Sequence, residues 1–405
     1  MDWSLLWKEV LDWRKHFTLR GCLTPLILGF APSLWDVLSD YDYAATWPEG
    51  TKDKPRDPRV MPRGYLYLFI CLPVTMLVLS QLSREAEGSL NKICCNFCSG
   101  CCCTVLKYFL KCVMTIGLLY VATFTASYLP NWLKYLSFAC ATALLSLKFM
   151  GVLVQGPTMK RLGILATSYE STYEAALQTF VVLYGALALN HPVDATTISC
   201  LLSSLFTVAK AGIEALLTFG IEDKMADAPF AFKLLQIARY GPVFAVTTMH
   251  RVTGLLAVHF VDFGDSPDAS SFTLLLAALP HFMSMLALIL SKSCFLQDIL
   301  LSEILVGVIG EMFTITIWGR RGREGSRNLQ LIFFLFHFTL HTSVLLYVIN
   351  TGGDSFLKAD PSIFQGFCIA GLSCGLLSLP IFLGQIYAMD NVNTLRRIRN
   401  LASTI

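Results

Sequence analysis

The sequence predicts an all-α, polytopic bundle of about ten membrane-crossing helices. Three observations lead there. Of 405 residues, 55% are hydrophobic and only 15% charged, with a mean hydropathy of +0.59; a soluble domain carries about 25% charged residues. The apolar residues fall into runs of about 20, the length that crosses roughly 30 Å of hydrocarbon. Finally, the chain contains no GxxxxGK[ST] phosphate loop and no HExxH. ATP-driven pumping is therefore unsupported, and no catalytic role, cofactor or metal is expected. The net charge of +3 offers no footprint for nucleic acid.

Residues 1–20 form a cytosolic, amphipathic N-terminal segment. Trp3, Leu6, Trp7, Val10 and Phe17 fall near one helical face, with Lys8, Glu9, Asp12, Arg14 and Lys15 largely elsewhere. Such a helix lies in the membrane interface or packs on the protein. It has no apolar core of leader length, so the first span is expected to act as its own insertion signal. The transmembrane domain covers 21–388, and a short basic cytosolic tail covers 389–405.

The first span, 22–46, carries Asp36 and Asp40 four residues apart, with Asp42 nearby. Either the helix continues through them, or it ends near Leu34 and they sit in a loop. A polar link over 49–63 leads to a second span, 64–82. Then comes a cysteine-rich loop, 92–107, holding Cys94, Cys95, Cys98, Cys101, Cys102 and Cys103 of the 14 cysteines. Its juxtamembrane position fits S-acylation in the cytosol. Free thiols or a zinc site built on Cys95-x-x-Cys98 are the other readings, although no histidine or second, separated CxxC completes a metal site.

Further spans are expected at 104–128, 132–153, 165–189 and 196–219. Residues 231–260 form either a full span or a re-entrant segment, and 271–291, 299–318, 329–349 and 363–387 follow. The arginines of the 319–327 loop and of the tail place that loop and the C-terminus in the cytosol, and Lys8, Arg14, Lys15 and Arg20 place the N-terminus there as well. An even number of crossings then favours a re-entrant 231–260. The basic residues of the 49–63 link run against this orientation. His337 and His341, four apart in an aromatic-rich span, read as packing histidines rather than metal ligands.

The intramembrane charges are the informative feature. Glu170 and Glu174 sit one turn apart inside the 165–189 run, on one helical face. An acid at the bilayer centre costs about 3 kcal/mol, so two on one face call for an explanation. Asp36, Asp40 and Glu214 are further acids; Lys148, Lys210, Arg239 and Arg251 are candidate basic partners. Lys210 and Glu214 are one turn apart and could neutralise each other. Such charges face a bundle interior or a hydrated path. They could line a route for ions or solutes, form a track for phospholipid headgroups, or pair internally and hold the bundle together.

Glu170-x-x-x-Glu174-x-Ala176-x-Gln178 resembles the E-x-x-x-E-x-A-P-Q stretch of the XK-related (Xkr) family, with Leu177 where the family commonly has proline. Asp36-x-x-Ser39-Asp40 is similar to the family's D-x-x-[ST]-D pattern, and Glu214 falls about where the family has an acid. The resemblance implies an all-α bundle of two related halves in the plasma membrane. It also implies passive, ATP-independent phospholipid scrambling with phosphatidylserine exposure. The partners implied are membrane phospholipids, a single-span glycoprotein chaperone and a bridge-like lipid-transfer protein, with homodimerisation left open. Carried over residue by residue, Asp36, Asp40, Glu170, Glu174, Gln178, Lys210 and Glu214 would line the lipid path. Asp390 is a poor match to the caspase site of the family's apoptotic members.

Overall fold

The computed structural model describes residues 3–48, 61–79, 117–118, 120–189, 191–215, 230–259, 324–351 and 361–389, and every regular element among them is helical. The expected spans at 271–291 and 299–318, the whole cysteine-rich loop and the C-terminal tail lie outside the described residues.

Two short helices, α1 (Trp3–Leu11) and α2 (Trp13–His16), precede the first long one. That helix, α3, joins Leu19–Thr24, a π-helical stretch Pro25–Phe30, and Ala31–Thr46. It therefore runs through Asp36 and Asp40, and the loop reading of these acids is overturned. Pro25 cannot donate a backbone hydrogen bond, and the wider π turns beside it absorb the disruption. Next are α4 (Gly64–Leu79) and α5 (120–128). Helix α6 (Pro130–Leu153) starts with proline in its first turn, where the missing N–H is harmless.

Helix α7 runs through Pro157–Glu170, the π-helical Ser171–Ala175 and Ala176–Ala188. It begins eight residues before the expected apolar span, because the polar turn around Thr158 and Lys160 is also helical. Helix α8 is Ala195–Ala215. Asp194 caps it, accepting the Thr197 backbone N–H at 2.9 Å. Hydrogen bonds from Thr197 hold this exposed carboxyl below the usual range.

Helix α9 (Phe230–His259) is continuous over 30 residues with Pro242 inside it. At 1.5 Å per residue it is about 45 Å long. A re-entrant segment has to turn back on itself, so that expectation is corrected here. The even number of crossings, inferred from the basic loop and ends, cannot then be met by re-entry of this segment. Helices α10 (Glu324–Thr351) and α11 (Pro361–Met389) complete the described fold.

Among the described residues, three helical stretches are long and apolar enough to cross a membrane: Gly21–Thr46, Pro130–Leu153 and Ser362–Ile381. Gly64–Leu79, Ala195–Lys210 and Phe334–Asn350 are shorter apolar helices. Exposed Trp132, Tyr135, Phe138 and Phe149 on α6 form an apolar outer surface of the kind that faces lipid. Helix α8 packs on α3, α7 and α9, and α9 packs in turn on α10 and α11. One apolar core runs from Leu28 to Cys368 through these contacts.

Helix α1 is seated on the α6–α7 connection. Leu6 packs with Val154, Met159 and Leu162. The Glu9 carboxylate accepts both the Thr158 and Met159 backbone N–H groups at 3.0 Å, capping the first turn of α7. Leu5, Trp7 and Leu11 remain exposed. Of the two sequence-based readings of this helix, the structure shows the one in which it packs on the protein.

Close helix approach shapes the α9–α11 region. A Cβ on Gly254 would meet His341 Cβ at 2.8 Å, and one on Gly375 would meet His250 Cδ2 at 2.5 Å. The glycines are notches that admit the imidazoles. Gly254→Ala is expected to lower stability by about 1–3 kcal/mol through overpacking, measured as a drop in thermal midpoint in detergent. Gly366→Ala, with open space at its Cβ, should not lower the midpoint, since alanine is the better helix former.

Candidate functional site

The site lies where α3, α7 and α8 meet, with α6 contributing one lysine. Helices α3 and α7 run parallel. Ser33 and Asp36 lie beside Glu170, Asp40 lies beside Glu174 and Gln178, and Tyr43 and Trp47 lie beside Gly185. Helix α8 runs antiparallel to both: Asp40 meets Cys200, whereas Asp36, one turn earlier on α3, meets Ser203 and Thr207 further along α8. Trp35 Nε1 donates to Ser199 Oγ at 2.8 Å, the Ser39 and Ser203 hydroxyls are 2.9 Å apart, and Ser203 and Thr207 face Asp36.

The acids are fully enclosed. Asp40, Glu170, Glu174 and Gln178 are 0% exposed, Asp36 and Lys210 1%. Lys148 Nζ donates to Glu170 Oε2 at 2.8 Å and also to Thr167 Oγ1. Lys210 acts on both Glu170 and Asp36. The Cys200 thiol donates to Asp40 Oδ1 at 3.2 Å. Both oxygens of Asp36, both of Glu174, Oδ2 of Asp40, Oε1 of Glu170 and both amide atoms of Gln178 have no hydrogen-bond partner among the described residues. Ser203, Thr207 and Gln178 stand near these carboxyls without closing hydrogen bonds to them.

The π-helical turn sits on the site itself. The Ala176 N–H reaches back to the Ser171 carbonyl, five residues earlier, in the turn that contains Glu174. Such bulges are frequent at functional sites because they re-aim side chains and free backbone groups.

Charge sets what the cluster can do. Four carboxyls face two lysines, an excess of two formal negative charges. Two carboxylates about 4 Å apart repel by about 4 kcal/mol at an effective dielectric near 20. This core therefore suits a polar or cationic group, or protons, better than another anion. No group of three or more His, Cys, Asp or Glu among the described residues could hold a metal ion.

One end of the cluster is closed by rings. Trp47 stacks on Tyr184 (centroids 6.5 Å apart, 22°) and His191 (6.4 Å, 24°), and meets Tyr43 edge-on at 5.8 Å. Its indole N–H donates to the Met61 carbonyl at 2.9 Å, and Arg63 donates to the Trp47 carbonyl at 2.8 Å.

Of the residues singled out from sequence, Asp36, Asp40, Glu170, Glu174, Gln178, Lys210 and Lys148 come together here. Arg251 is buried on α9. The side chains of Glu214 and Arg239, and the six clustered cysteines, lie outside the described residues. Ser33, Thr167, Cys200, Ser203 and Thr207 were not anticipated. The α8 set had a readable signal, since Ser199, Ser203 and Thr207 recur every four residues and lead towards Lys210 on one face. His337 and His341 pack ring to ring with centroids 6.4 Å apart, and His250 meets His341 edge-on at 5.9 Å.

These features define a helical membrane protein with a sealed, mixed-charge core. No family model, curated protein or solved structure matches the chain.

Proposed function

We propose that the chain is an XK-like, multi-pass protein of the plasma membrane that moves phospholipids passively between leaflets. The observation that carries this reading is the buried ladder of four carboxyls, two lysines and a row of hydroxyls along α3, α7 and α8. It has more acceptor oxygens than the neighbouring side chains fill. A zwitterionic headgroup brings a cation and an anion, and a track of mixed sign can replace part of its hydration while the tails stay in the bilayer. Movement down a gradient needs no ATP and breaks no covalent bond. Because all four carboxyls and both lysines are buried, the described arrangement is a closed one, and lipid passage requires α3 and α7 to separate. A single-span glycoprotein chaperone or a bridge-like lipid-transfer protein belongs to this reading as the partner implied by the resemblance.

The Lys148–Glu170 pair favours a second reading. There the charges only lock the helices, and the protein is a non-transporting membrane scaffold or partner of a lipid-transfer protein.

Fluorescent-lipid flipping by the purified protein in proteoliposomes separates the two. Glu170→Gln/Glu174→Gln is expected to reduce the flipping rate at least tenfold, a loss of about 1.4 kcal/mol or more at the barrier, with insertion retained. Flipping that persists unchanged in the double variant removes the track. No flipping by the wild-type protein, alone or with its chaperone, favours the scaffold.

A further inference from the structure

The two lysines leave one pair of acids uncompensated. Lys148 bonds Glu170, and Lys210 acts on Glu170 and Asp36. The groups around Asp40 and Glu174 are of another kind. Glu174 faces Asp40 and Asp36 from α3 and Glu170 on its own helix. Tyr41 of α3, Cys71 of α4 and Cys200 of α8 stand beside it. Arg251 and His250 are buried on α9, which packs on both α7 and α8. The Cys200 thiol gives Asp40 a single weak hydrogen bond.

Gln178 is the independent pointer. It is completely buried beside Asp40, and neither its amide nitrogen nor its carbonyl oxygen has a partner among the described residues. A buried amide left so is costly. It is best accounted for by a neighbouring carboxyl pair whose hydrogen-bonding pattern depends on a bound cation or proton. Among the described residues the acids do not converge as metal ligands, and two facing carboxyls can share a proton with no further ligand.

We propose that Asp40 and Glu174 hold one proton between them, making this point of the bundle a proton-binding site that ties α3 to α7. The O–H of one carboxyl donates to the carboxylate of the other. The Gln178 amide and the Cys200 thiol then serve the single remaining negative charge. Deprotonation releases that proton to solvent and leaves two facing carboxylates on two helices, which drives them apart. The site does not depend on lipid transport.

The test uses the purified full-length protein in nanodiscs. Its infrared spectrum should carry a protonated-carboxyl C=O stretch at neutral pH. That band should be lost in both Asp40→Asn and Glu174→Gln and be unmoved when sodium and potassium are replaced by choline. At neutral pH the folded protein then holds a proton that the unfolded chain, whose carboxyls titrate at about pH 4, has already released. Its thermal midpoint should therefore fall as pH rises above neutrality, and either amide variant should flatten that slope. Three results overturn the proposal: no such band in the wild-type protein, a band that survives in both variants, or a band that appears only when sodium and potassium are removed, which would assign the site to a metal cation. If a variant does not fold, a wild-type midpoint flat from neutral to alkaline pH overturns it as well.

Discussion

Replacing Lys148 with methionine is expected to destabilise the protein by about 3–5 kcal/mol, the cost of stripping one partner from a buried ion pair. Lys148 and Glu170 are 3% and 0% exposed in their side chains and 2.8 Å apart. Methionine keeps most of the stem's volume, so packing changes little and the loss comes from an uncompensated carboxylate. Adding Glu170→Gln should recover most of the loss, because a neutral amide beside methionine strands no charge. Thermal unfolding of the two single variants and the double variant in detergent measures the coupling. Strictly additive losses would mean that the pair does not interact. Lys15 and Asp12 provide the contrast, being also 2.9 Å apart but 71% and 37% exposed. An exposed pair of this kind is worth about 0–1 kcal/mol, and Lys15→Met should leave the midpoint where it was.

That Lys148 would find an acid was open to a reader of the sequence; which acid it finds was not. Glu170 and Glu174 announce themselves, since two carboxylates at i and i+4 in an apolar run have few explanations. The buried pairing between α6 and α7 joins residues 22 positions apart, and no periodicity specifies it. The same holds for Glu9, which caps a helix about 150 residues away. Helix boundaries moved where polar residues continue a helix, as at Thr158 and Lys160. The re-entrant expectation for 231–260 rested on counting crossings, and a helix of 30 residues does not obey such a count. The hydroxyl row on α8 was present in the sequence at four-residue spacing. It became informative only once α3 supplied the facing Asp36 and Ser39. Small residues such as Gly254 and Gly375 look unremarkable in a span until the imidazoles opposite them are located.

The ring cluster beyond Asp40 gives the second large expectation. Trp47 is 1% exposed and is among the largest fully buried side chains described. Truncation to alanine should cost about 3–5 kcal/mol in lost burial and cavity, and it leaves the Met61 carbonyl without its indole donor. Trp47→Phe retains a ring against Tyr43, Tyr184 and His191 and loses chiefly the hydrogen bond, worth about 1 kcal/mol. The two variants therefore separate sealing from hydrogen bonding. If α3, α7 and α8 enclose a lipid path, Trp47 closes it two turns beyond Asp40. Trp47→Ala should then raise the flipping rate in proteoliposomes severalfold, while Trp47→Phe stays near the wild-type rate. If the charged ladder only holds helices together, Trp47→Ala should be less stable and no faster. Flipping therefore has to be measured below the variant's thermal midpoint, where a leaky or unfolded population cannot imitate an opened path. The sign of the change is what discriminates: a track gated by these rings gains rate as it loses stability, whereas an internal lock loses stability alone.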